Sequence, residues 1–264
     1  MKHLFYYLLI GLVMGFTACG DGGDEPEPAK GKVKFVFDHR IDGDPIRFDT
    51  MIYVNEAGNP YLVNEIQYFV SDFKLWSGGE SIILDQWEDI HYVDTDLPET
   101  WNYFPADDVP LGDYDSISFI FGITEEKNQS FMFVNPPESY MFWPEYLGGG
   151  YHYLKLNGKW KTPGDTVRPF NFHLGIGQIY DEQGNIVGFV QNYFTVHLSH
   201  TAFKLTAEKA AMIQITMNVE QWFKDPHTWD FNYWGGDIME NQAAMQTAKE
   251  NGHNVFTAKV LLEE

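Results

Sequence analysis

The sequence predicts a mainly β protein, an antiparallel β-sandwich with a short helical appendage near its C-terminus. Three observations predict it. Apolar residues recur at alternate positions in one run after another, Gly-Asn or Asn-Gly pairs punctuate the chain, and only two short stretches carry helix signals. Lys32 to Phe37 alternates, with Val33, Phe35 and Phe37 on one face. Tyr61 to Trp76 is long and aromatic and reads as two strands or as one bent strand. Ser116 to Ile123, Tyr151 to Leu156, Val187 to Phe203 and Ala211 to Val219 follow. Gly58-Asn59, Asn157-Gly158 and Gly184-Asn185 read as hairpin turns between strands. Glu220 to Lys224 reads as one helical turn stopped by Pro226, and Ile238 to Glu250 as a helix with Gly252 at its C-cap.

Composition narrows the class. A chain of 264 residues with 44% hydrophobic and 17% aromatic side chains is long and apolar enough for a real core, which excludes a disordered protein. A formal charge of −21 argues against nucleic acid, whose phosphates need a basic face. The single Cys excludes an intramolecular disulfide. That Cys closely follows the only long apolar run. Met1 to Cys19 has a charged start at Lys2, an apolar stretch from Leu4 to Phe16 and then small residues, which reads as a secretory signal. Phe16-Thr17-Ala18-Cys19 resembles a bacterial lipobox, so Cys19 is expected to carry a lipid anchor in the outer membrane. Residues 20–30, rich in Gly, Pro and acid, read as a flexible acidic tether, and 31–264 as the β-sandwich domain. The expected location is the cell envelope, as an outer-membrane lipoprotein.

No catalytic motif is present: no GxSxG, GxGxxG, HExxH or P-loop. No nucleophile–base pairing is legible, so the chain is read as no enzyme. With its one Cys assigned to lipidation, a transition-metal site must use imidazole, thioether or carboxylate. Strand parity sorts the histidines. His173 falls on the face opposite Phe170, Phe172 and Leu174, which frees its ring from the main core. His39 extends the Val33, Phe35 and Phe37 face to the core's rim. His152 goes with Leu154 and Leu156 and reads as a core histidine bonded to nearby backbone. His197 and His200, three apart, face opposite sides of an extended strand and cannot share an ion unless a bulge intervenes.

Several segments in order resemble the MbnP-like copper-binding protein family. They are Phe37-Asp38-His39 with Gly43-Asp44-Pro45, the run Ile66 to Leu75, and Ser118 to Ile123. Met141-Phe142-Trp143 leading to Gly150-Tyr151 and Leu154-Lys155-Leu156 comes next, and Phe172-His173-Leu174-Gly175 completes the set. The resemblance implies an exported β-sandwich that binds copper through histidines and a tryptophan oxidised to kynurenine by a dihaem partner of the peroxidase type. Carried onto this chain, it implies His39 and His173 as imidazole ligands, Trp143 as the residue oxidised and copper as the metal. The chain departs from relatives that show Trp-x-Trp, having Trp143-Pro144-Glu145-Tyr146 instead.

The expected function is therefore metal capture, most specifically copper, by an anchored non-catalytic protein. The alternative is a surface module for glycans or peptides, prompted by eight Trp and fifteen Tyr on an acidic domain, since exposed aromatics stack on such ligands.

Overall fold

A computed structural model describes residues 29–261. The signal segment, Cys19 and most of the acidic tether lie outside the described residues. Among the described residues no helix is long and apolar enough to cross a membrane.

The strands that build the molecule are β1 (Val33–Ile41), β2 (Pro60–Ser77), β3 (His91–Asp94), β4 (Ser116–Phe121), β5 (Leu154–Lys161), β6 (Val167–Leu174), β7 (Gly177–Tyr180), β8 (Ile186–Val190), β9 (Phe194–Leu198), β10 (Ala211–Asn218) and β11 (Phe256–Leu261). The larger sheet runs in the order β6-β5-β2-β4-β9, and β3 also pairs with β2. The smaller sheet runs β11-β10-β1. Pairing is antiparallel except between β10 and β1, which run parallel with Phe35 opposite Ile213 and His39 opposite Met217. The expected β-sandwich is the architecture found.

Alternation explains β1, where Val33, Phe35, Phe37, His39 and Ile41 are buried and the residues between them are less so. The inner faces of the two sheets meet through rings. Phe35 lies 4.6 Å from Phe73, Phe37 lies 6.1 Å from Tyr68, and Phe119 lies 5.4 Å from Phe256. Burying each such side chain is worth about 1.5–3 kcal/mol, so this inter-sheet layer is the main source of stability.

Strand β2 settles the question left open by its length: it is one strand of 18 residues with two bulges. Its pairing with β5 slips one residue between Asn157 and Gly158, and its pairing with β4 slips between Ser118 and Ile120. Each bulge reverses which residues face inward. Tyr61 and Val63 are buried before the first, Ile66 and Tyr68 after it, and Phe73 and Leu75 after the second.

The turn expected at Asn157-Gly158 is not one; both residues lie inside β5. Glycine stands there because the chain is crowded. A Cβ on Gly158 would run into the Leu62 carbonyl and the Phe170 ring. Gly58 and Gly184, with φ of +77° and +81°, do serve hairpins. The expected helix forms as α1 (Gln242–Gly252), beginning four residues after Ile238 because the Asn241 side chain starts it by accepting from the Ala244 N–H, and it takes in Gly252, with His253 at the C-cap. It packs through Ala244, Met245 and Ala248, and the chain then returns to the smaller sheet as β11, a strand the alternation had not marked.

The outer face of the larger sheet is not bare. Phe69, fully buried, meets Tyr92 from β3 and Phe133 and Tyr151 from the long connection between β4 and β5. That connection covers the sheet and carries the candidate site.

Candidate metal centre

The connection closes on itself as a short antiparallel bridge between Phe142 and Tyr151. Trp143 N–H donates to the Gly150 carbonyl at 2.8 Å, and His152 N–H to the Met141 carbonyl at 2.7 Å. These bonds hold Trp143 and His152 side by side, with ring centroids 4.6 Å apart. Trp143 is fully buried and its indole N–H donates to the Leu147 carbonyl. Gly175, just beyond β6, leaves room for it; a Cβ there would come within 2.6 Å of the indole.

His173 comes to the same place from β6. Its ring centroid lies 5.1 Å from that of His152, nearly perpendicular. Parity is the reason: Phe172 and Leu174 face inward, so His173 faces outward beneath the connection. Directly across the ladder stands Lys155, whose ammonium donates to the Tyr140 carbonyl.

The hydrogen bonds define the state of both imidazoles. His152 Nδ1 lies 2.8 Å from the Met141 carbonyl oxygen, which only accepts, so Nδ1 carries the hydrogen. His173 Nε2 lies 2.7 Å from Asn157 Oδ1, so there Nε2 carries it. His173 Nδ1 is buried with no partner, the one imidazole nitrogen so placed among the described residues. Burial, followed by the positive Lys155, pushes His173 down to about 3. Burial also holds His152 well below the ordinary imidazole range, with His173 and Lys155 adding to the effect. Both rings are therefore neutral at neutral pH, the form that binds metal.

The arrangement is chemically suited to an ion that accepts imidazole nitrogen. Ligating histidines characteristically donate their second N–H to a carbonyl or carboxylate, as both do here. With nitrogen–metal bonds of about 2 Å, rings this close can reach one ion. Two imidazoles beside an indole contain no hard oxygen donor, which favours copper or zinc over calcium or magnesium. Among the described residues, no group of three or more His, Cys, Asp or Glu side chains is placed to hold a metal. The candidate centre is thus a histidine pair beside Trp143.

His39 is elsewhere, and its expected meeting with His173 is corrected. It is buried on the inner face of β1, its Nε2 3.2 Å from the Tyr68 hydroxyl and its ring edge-on to Trp101. Tyr68, Leu154 and Leu174 are in register across the larger sheet and buried between the layers, whereas His173 projects from the other face. The sheet itself separates the two rings. Trp143 does lie in the cluster with His173, joined through His152. His152 bonds to nearby backbone as expected, but it also completes the pair, and strand parity could not have revealed this. It precedes β5, where the alternation of Leu154 and Leu156 does not reach. His197 is exposed on β9, and His200 lies in the turn beyond it.

A β-sandwich with a histidine pair set beside a buried tryptophan on its outer face is the class of protein defined so far. The MbnP family model matches residues 30–243, and the chain belongs to that family. Among solved structures, MbnP from Methylosinus trichosporium is similar, with a TM-score of 0.55 over 89% of this chain and 100% of that one. At 13% identity, that likeness is one of fold. No curated protein matches the sequence.

Proposed function

We propose that this protein is an exported, lipid-anchored, non-catalytic metal-binding protein that captures copper through His152 and His173 beside Trp143. The observation that carries the reading is the bare, buried Nδ1 of His173 on a neutral ring 5.1 Å from a second neutral imidazole. An unpaired buried nitrogen costs free energy, about 1–3 kcal/mol, unless something binds it. Copper accepts nitrogen donors more strongly than its first-row neighbours. Membership of the MbnP family supports the metal's identity. The chain's own residues supply two donors of defined tautomer, a wall of buried indole and an ammonium, Lys155, next to the pair.

The family resemblance extends the proposal to oxidation of Trp143 to kynurenine by a dihaem partner of the peroxidase type, and to outer-membrane anchoring through Cys19. Metal analysis and intact mass of protein isolated from its native envelope test these together. The expected result is one copper per chain, a mass change localised to Trp143, and a lipid on Cys19. Loss of copper in His152→Ala and His173→Ala with retention in folded His39→Ala is the residue-level check. Copper bound equally by all three variants would move the site elsewhere.

A glycan- or peptide-binding module is supported by a separate observation. Trp87, 56% exposed, faces a groove of about 600 Å³ with Tyr193, Asp72 and Glu126. Metal-free protein that binds a glycan or peptide array, and loses binding on Trp87→Ala, would favour that reading.

A further inference from the structure

We propose that Glu65 is a positioning residue for the metal centre: through the amide of Asn157 it dictates which nitrogen of His173 is left bare. The purpose assigned to that bare nitrogen rests on the copper reading, but the tautomer is a property of the metal-free protein.

The relay of hydrogen bonds runs outward from the carboxylate. Asn157 Nδ2 lies 2.6 Å from Glu65 Oε1. A carboxylate has no hydrogen to give, so the nitrogen end of the amide must face Glu65 and the oxygen end must face away. That oxygen is the atom 2.7 Å from His173 Nε2. An amide oxygen only accepts, so Nε2 holds the hydrogen and Nδ1 keeps its lone pair. Were the amide reversed, its NH₂ would point at Nε2 and drive the hydrogen to Nδ1, removing the donor. A neutral amide alone is indifferent between the two states; the charge on Glu65 breaks the tie.

The backbone delivers Glu65 to this position by the first bulge of β2. Glu65 is directly opposite Asn157, while Val63 is opposite Gly158, so Asn64 is the extra residue. Without it, Glu65 would share the inward face of Tyr61 and Val63. Bulges re-aim side chains, and this one turns a carboxylate onto the outer face beside the centre. Asn157 then reaches diagonally across the ladder to His173, whose direct partner is Lys155. His152 needs no such relay, because the backbone carbonyl of Met141 holds its tautomer.

The test is ¹⁵N NMR of histidine-labelled, metal-free protein, with copper titration of the same samples. Wild type is expected to show His173 with hydrogen on Nε2 and His152 with hydrogen on Nδ1. In Glu65→Gln the new amide can present either end to Asn157. His173 should become a mixture of tautomers and copper affinity should fall about 10- to 100-fold, the usual effect of losing an outer partner. His152 should stay unchanged, which also reports that the local fold is intact. The double variant Glu65→Gln with Asn157→Asp should restore the Nε2 hydrogen, since the introduced carboxylate accepts from both neighbours. A His173 that stays wholly Nε2-protonated in Glu65→Gln, or that carries its hydrogen on Nδ1 in wild type, overturns the relay. Wild-type protein with the stated tautomers but no copper uptake sinks the copper reading and leaves the relay standing.

Discussion

His39, on the smaller sheet, and His173, on the larger, lie on opposite sides of the larger sheet and differ in a way that burial does not capture. Both are held below the ordinary imidazole range by burial, His39 at about 4 and His173 at about 3. On the inner face, His39 pairs its Nε2 with the Tyr68 hydroxyl and packs among rings of the main core. On the outer face, His173 keeps one nitrogen tied to Asn157 and the other enclosed without a partner. The same residue type serves packing in one layer and presents a donor in the other. A depressed imidazole pKa therefore marks neutrality; what sets the candidate site apart is an enclosed, unpaired nitrogen next to a second imidazole.

The contrast breaks first on copper stoichiometry. His152→Ala or His173→Ala is expected to abolish stoichiometric copper, whereas His39→Ala lowers stability and leaves the copper content of folded protein at the wild-type value. Equilibrium dialysis with metal analysis separates the two outcomes, and copper loss in His39→Ala would remove the distinction between faces.

Acid unfolding sharpens the inner half of the comparison. His91 stacks on Phe37, two residues before His39 on the buried face of β1, and burial lowers each imidazole to about 4. Above about pH 6.5, each is neutral whether the chain is folded or not. Below that value the unfolded chain takes protons that the folded chain refuses, so stability falls until the pH reaches about 4. The slope is about 1.4 kcal/mol per pH unit for each imidazole. Denaturant midpoints measured between pH 7 and 4 should show it, and His39→Gln should remove one imidazole's share.

Smaller effects are expected from single groups beside each ring. Gly175→Ala drives a methyl toward the Trp143 indole and should cost about 1–3 kcal/mol, with a perturbed tryptophan fluorescence and weakened copper binding. Tyr68→Phe removes the partner of His39 Nε2 and should cost about 1–2 kcal/mol with copper binding untouched. Thermal denaturation read beside copper titration distinguishes them, since the first should move both readouts and the second only stability.

Much of the inner layer was legible along the chain. The Val33, Phe35 and Phe37 alternation is buried as written, and the outward parity of His173 follows from Phe172 and Leu174. Gly58 and Gly184 turned hairpins, and the helix near residue 245 formed. Other features were not legible. Asn157-Gly158 has the letters of a turn but lies within a strand, because Gly158 answers to the Leu62 carbonyl and Phe170 ring, residues remote in sequence. His152 lies in an irregular connection where no period assigns a face. The pairing of Glu65 with Asn157 depends on a one-residue slip between strands 92 positions apart.

By itself, the order of residues determined the β class, the face each regular strand presents and the family resemblance, because alternation and turn chemistry act over a few neighbours. Only the folded molecule decided which imidazoles meet. Whether His173 finds His39 or His152 depends on the stacking of sheets and the path of a long connection, interactions between segments whose spacing along the chain carries no record of their distance in space.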